Sequence, residues 1–228
     1  MTAGLIRPVF CLVTDRSRLS PATDSEVVRL VGHAAAAGVH LIQIRERQAD
    51  SRRLLSLTRA ALGAVAGTGA KVVVNDRTDV ALAAGADGVH LRADSPPAER
   101  VRSIVPTGFL IGRSVHSDVE AVSAAGTGVD YLILGTIFPS ASKSAGNRWL
   151  GPGALERAAH ATAIPVLAIG GMTADKVGNI AAAGAAGIAA IGLFADLQRD
   201  ATDDAVATSL RRLVGELRAA FHGGAAAR

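Results

Sequence analysis

The chain has 228 residues, of which 49% are apolar and 19% charged, with a formal net charge of +4. That balance excludes an intrinsically disordered chain and leaves enough apolar material for one large core. Acidic and basic residues are interspersed and aromatics make up only 3%, so neither a nucleic-acid nor a membrane-binding surface is expected.

The first apolar run, 9–14 (VFCLVT), reads as a strand and carries the single cysteine, Cys11. One buried thiol excludes a disulfide framework and points to a reducing, cytoplasmic setting. Arg7, Pro8 and Asp15 interrupt this opening stretch, so no secretory signal is expected there. An amphipathic stretch at 25–37 follows. It ends in AAGVH and leads into a second strand, 41–45 (LIQIR). The same phrase returns as AAGADGVH at 83–90, AAGTGVDY at 124–131 and AAGAAGI at 182–188. A helix that stops on glycine, then turns tightly into a strand, explains the repetition.

Further strands are expected at 71–75 (KVVVN), 88–91 (GVHL), 110–114 (LIGRS), 130–135 (DYLILG), 165–170 (PVLAIG) and 187–191 (GIAAI), with helical patterns at 51–66, 117–125 and 173–183. The strands are short and almost continuously apolar, as parallel strands covered on both faces are. Residues 180–195 are uncharged but too short and too rich in glycine to span a membrane. Strands alternating with helices in this way predict an α/β fold, a single-domain (β/α)8 TIM barrel over 1–222, with 223–228 as a flexible C-terminal tail. An open doubly wound sheet is the competitor, but no GxGxxG follows the first strand.

Active sites on this barrel gather at the C-terminal ends of the strands. The second strand ends in Gln43, Arg45, Glu46 and Arg47, where alternation sends Gln43, Arg45 and Arg47 the same way. Two guanidiniums suit a carboxylate or phosphate; a solvated strand end paired to Glu46 reads equally well. The third strand ends in Asn75-Asp76, a site pair or a helix cap. The fourth leads to a Pro-rich corner holding Asp94. The fifth delivers Ser114, with His116 two residues on, placed to move protons or to cap a helix. His40 and His90 read as structural. The long loop TIFPSASKSAGNRWLGPG offers Ser140, Ser142, Lys143 and Trp149 as an anion-binding lid. Gly170-Gly171 and Ile191-Gly192 end the last two strands, the usual barrel site for a phosphate.

The set IRER, VNDR, GVHL, GRSVHS, FPSASK, PVLAIGG and GAAGIAAI, in this order, resembles the thiamin phosphate synthase superfamily from residue 9 to about 196. That resemblance implies a thiazole phosphate in the barrel mouth and one of two activities. A synthase couples a pyrimidine diphosphate to the thiazole phosphate with Mg2+ and expels pyrophosphate. A thiazole tautomerase shifts protons within a carboxythiazole phosphate.

The synthase pattern places a magnesium-binding acid where this chain has Ser95, with Asp94 one residue early and Arg92 for a glycine. IRER, GRSVHS and IGGMT look similar to the tautomerase branch. The expectation is therefore a cofactor-free isomerase, with His116 as the acid/base group. The alternative is a synthase using Asp76, Asp94 and Mg2+. A third reading is a non-catalytic thiazole-phosphate-binding regulatory protein. A homodimer is compatible with any of them.

Overall fold

In the computed structural model, residues 5, 7–139, 149–198 and 202–226 are described. Eight parallel strands close into a barrel in sequence order, β1 Val9–Val13, β2 Leu41–Ile44, β3 Lys71–Asn75, β4 Gly88–Leu91, β5 Leu110–Val115, β6 Tyr131–Gly135, β7 Val166–Ile169 and β8 Gly187–Ala190. The helices α1 Asp24–Ala36, α2 Ser51–Ala64, α3 Thr78–Ala84, α4 Ala98–Arg102, α5 Asp118–Ala125, α6 Gly151–Ala161 and α7 Val177–Ala182 cross between them. After β8 come a short α8, Gly192–Ala195, and the long α9, Asp203–Ala226. The predicted α/β barrel is the fold observed.

Strand alternation divides the core in two. One face of each strand lines the barrel interior, where Val9, Cys11, Leu41, Val73, Leu110, Tyr131, Leu167 and Ala189 pack together. The other face packs outward under the helices, through Phe10, Leu12, Ile42, Ile44, Val72, Val74, Ile111, Leu132 and Ile188. Close strand pairing needs glycine at the β1–β8 seam, since a Cβ on Gly187 would lie 1.9 Å from the Val9 carbonyl oxygen.

The repeated AAG phrase ends helices as expected. Gly85 caps α3 with φ 74°, a left-handed conformation. In AAGTG the first glycine keeps φ −82° and Gly128 takes the left-handed turn instead, with φ 79°. The stretch 173–183 departs from a single helix: a 3-10 turn at Ala174–Lys176 precedes α7. At the C-terminus, α9 carries regular helix to Ala226, into the stretch expected to be a tail. Gly224 explains this, because it sits so close to Gly178 that a Cβ there would come within 2.1 Å of the Gly178 carbonyl. The two glycines let α9 lie directly on α7.

Candidate active site

The strand ends open into one cavity of about 1270 Å³. Gln43, Arg45, Arg47, Asn75, Asp76, Asp94, Ser114, His116, Gly170, Gly171, Ile191 and Gly192 all line it. Ser140, Ser142 and Lys143 lie outside the described residues.

On β2 the alternation works as read. Gln43 points into the barrel and is 3% exposed. Its Nε2 donates to Asn75 Oδ1 at 2.8 Å across the β2–β3 pair. Its Oε1 is buried without a hydrogen-bond partner. A buried carbonyl oxygen left bare is costly, and this one belongs to a residue that lines the cavity. Just beyond, the Arg45 guanidinium is half-buried. Its pKa is lowered, first by burial, then by repulsion from Arg47 and Arg92, against the attraction of Asp15 and Glu46. Among the described residues neither Arg45 nor Arg47 forms an ion pair. Glu46, the partner considered for them, instead accepts the Arg16 backbone N–H at 3.2 Å.

The corner between β3 and β4 has the opposite character. Asp76 holds a left-handed backbone, φ 64°, unusual for a residue with a side chain, and its N–H donates to the His90 carbonyl at 2.8 Å. Ser95 fills the turn: its hydroxyl accepts the Arg92 N–H at 2.8 Å and donates to the Asp76 carboxylate. The Arg92 guanidinium donates to Asp94 at 2.6 Å and stands 3.8 Å from Asp76. Arg113, at the end of β5, ties this loop down by donating to the carbonyls of Ala93 at 2.8 Å and Pro96 at 3.1 Å. Among the described residues no group of three or more His, Cys, Asp or Glu could hold a metal.

Across the mouth, Gly171 needs its freedom. It has φ 59°, and a Cβ there would come 2.2 Å from the Pro139 carbonyl oxygen. Lys176 donates to the Gly171 carbonyl at 2.8 Å and lies over the Phe138 ring. Arg18, which the sequence reading passed over, closes the β8 side through three hydrogen bonds to Asp196, at 2.8, 3.0 and 3.2 Å.

His116 lines the cavity at its rim. Ser117 caps α5 by accepting the Glu120 N–H, and Glu120 returns to accept the His116 N–H at 2.8 Å. The His116 ring is half exposed, with Nδ1 3.6 Å from Glu120. The histidine that sequence reasoning set aside lies deeper. His90 is 1% exposed at the cavity floor, hydrogen-bonded to Ser114 and Tyr131. Its inward register on β4, level with Asn75 and Gly112, was the available signal.

The sequence profile of the family described as thiamine monophosphate synthase matches residues 10–194. The chain belongs to this family. Among its relatives is the thiamine-phosphate synthase of Methanoculleus marisnigri, 44% identical over 79% of this chain and 84% of that one. The thiamine-phosphate synthase of Chlorobium luteolum is 40% identical over 81% and 84%. Thiamine phosphate pyrophosphorylase from Pyrococcus furiosus superposes with a TM-score of 0.78 at 32% identity, over 93% of this chain and 96% of that one.

These likenesses overturn the isomerase expectation, including the nearness to the tautomerase branch. The misreading has a physical source. The altered Ser95 corner and the IRER, GRSVHS and IGGMT stretches were weighed above the rest of the mouth, yet Ser95 keeps the corner folded around Asp76, and Gln43, Arg45, Asn75 and Ser114 line the same cavity.

Proposed function

We propose that this chain is a thiamine-phosphate synthase, a transferase that joins a pyrimidine diphosphate to a thiazole phosphate and releases pyrophosphate. The observation that carries the reading is a single basin with unpaired guanidiniums on one side and an open Gly-Gly turn on the other, in a chain 44% identical to a protein of that name over 79% of its length. At about 1270 Å³ the basin exceeds what one small ligand fills, and suits two substrates held together.

In that reaction the bond to the diphosphate breaks, and negative charge grows on the departing oxygens. Arg45 and Arg47 stand where they would meet it, and a guanidinium fork in a half-buried site stabilises such charge strongly. Gln43 Oε1 accepts a hydrogen bond from a substrate N–H. The backbone around Gly170-Gly171 and Ile191-Gly192 faces the phosphate of the other substrate, as at this position in barrels generally.

The family resemblance implies Mg2+. Mg2+ is usually held by one or two carboxylates together with substrate phosphates and water. Asp76 fits that description: its carboxylate lines the cavity with the Ser95 hydroxyl beside it. Asp94 is engaged by Arg92. When bound, the ion would neutralise charge on the leaving pyrophosphate.

Incubation with both substrates and Mg2+ tests the reading, by the appearance of thiamin phosphate and an equal amount of pyrophosphate. Binding of both substrates with no coupled product would overturn it.

A further inference from the structure

Below the mouth, three neutral polar groups form a line that the steps above leave unused. The Tyr131 hydroxyl lies 3.2 Å from His90 Nδ1, and His90 Nε2 lies 2.9 Å from Ser114 Oγ. Tyr131 and His90 are 0% and 1% exposed, while Ser114 borders the cavity. The barrel is shaped for the pair. A Cβ on Gly112 would come 2.1 Å from Tyr131 Cζ and 2.6 Å from His90 Nδ1, so only glycine leaves room for both rings.

The direction of the hydrogen bonds follows from counting protons. The imidazole is buried with only the neutral Tyr131 and Ser114 hydroxyls on its two nitrogens and, among the described residues, no carboxylate to balance a charge, so it is held neutral. A neutral imidazole has one N–H and one bare nitrogen. Among the described residues His90 is the one hydrogen-bond partner of the Tyr131 hydroxyl. If Nδ1 carried the proton, the buried phenol O–H would have no acceptor, which native interiors avoid. The phenol therefore donates to Nδ1, Nε2–H donates to Ser114 Oγ, and the Ser114 hydrogen is left facing the cavity.

We propose that Tyr131 and His90 are positioning residues that fix Ser114 as a hydrogen-bond donor into the mouth, matched to a substrate atom with a lone pair and no proton: an aromatic ring nitrogen or a phosphate oxygen. The substrates rest on the synthase reading; the direction of the chain does not.

The wild-type protein, labelled with 15N-histidine, gives the first test. The expected His90 signature is a protonated Nε2 and a bare Nδ1, and a protonated Nδ1 would overturn the proposal. A double-mutant cycle gives the second. Tyr131→Phe should lower kcat/KM about tenfold in the wild-type background, as expected for one misdirected hydrogen bond, and less than about twofold in a Ser114→Ala background. A purely structural tyrosine would cost the same in both backgrounds, and that result would overturn it. Titration with inorganic pyrophosphate separates the two acceptors. Weakened binding in Ser114→Ala identifies a phosphate oxygen, and unchanged binding identifies the ring nitrogen. A chain inactive as a synthase would still give the histidine spectrum, so the two readings fail separately.

Discussion

The two charged corners of the mouth are built from similar residues and have reached opposite states. On the β2 side, Arg45 is half-buried, pressed by Arg47 and Arg92, and tied to no carboxylate among the described residues. On the β3–β4 side, Arg92, Asp94 and Ser95 of the loop after β4 and Asp76 of the loop after β3 satisfy one another. A cation kept half out of water without a partner is a poor way to stabilise a fold, and it persists where a ligand anion completes it. A ring of mutually paired groups reports on loop structure as much as on binding. Charge alone does not separate the two corners; the bookkeeping of partners does.

Arg45→Ala should break this contrast most severely. Loss of charge-assisted bonds to the diphosphate predicts a fall of about 100-fold in kcat/KM, with the melting temperature unchanged or raised. Steady-state kinetics beside thermal denaturation checks both parts, and a destabilised but active variant would make Arg45 structural.

The uncharged floor between the corners gives the next effect. His90 stays neutral when folded, down to a pKa of about 3, whereas the unfolded chain takes up a proton near 6.5. Unfolded chain therefore binds more protons as pH falls, so stability falls with it. Between pH 7.5 and 5.5 this one residue predicts a loss of about 1.4 kcal/mol. Denaturant unfolding at the two pH values measures it, and a His90→Asn variant should show that much less pH dependence.

Arg92→Ala should act least. Releasing Asp76 and Asp94 from an exposed guanidinium predicts a few-fold drop in the Mg2+ concentration needed for half-maximal activity. Complete loss of activity in this variant would instead place Arg92 on the substrate.

Much of the barrel was legible because its signals are local. Apolar runs bounded by glycine marked the strands to within a residue or two, and period-two alternation sent Gln43, Arg45 and Arg47 the same way. What escaped depends on partners far away in sequence. His90 looks like a core histidine from its neighbours alone, since the hydroxyls that define its role come from Ser114 on β5 and Tyr131 on β6. His116 carries the signal of a strand-end histidine, and only the structure shows that it lines the cavity while its backbone N–H closes the Ser117–Glu120 cap. The Ser95 turn was given too much weight for a related reason: a changed residue is visible in the sequence, while the hydrogen bond it makes to Asp76 is visible only in three dimensions.

The last helix has a consequence for how the molecule is made. β8 is followed only by the four-residue α8, and the outer layer beside the β1–β8 seam is supplied by α9, which packs on both α1 and α7. A ribosome delivers α1 well before α9. Until residues 203–226 emerge, the join between β1 and β8 lies without its cover, so the closed barrel waits for α9.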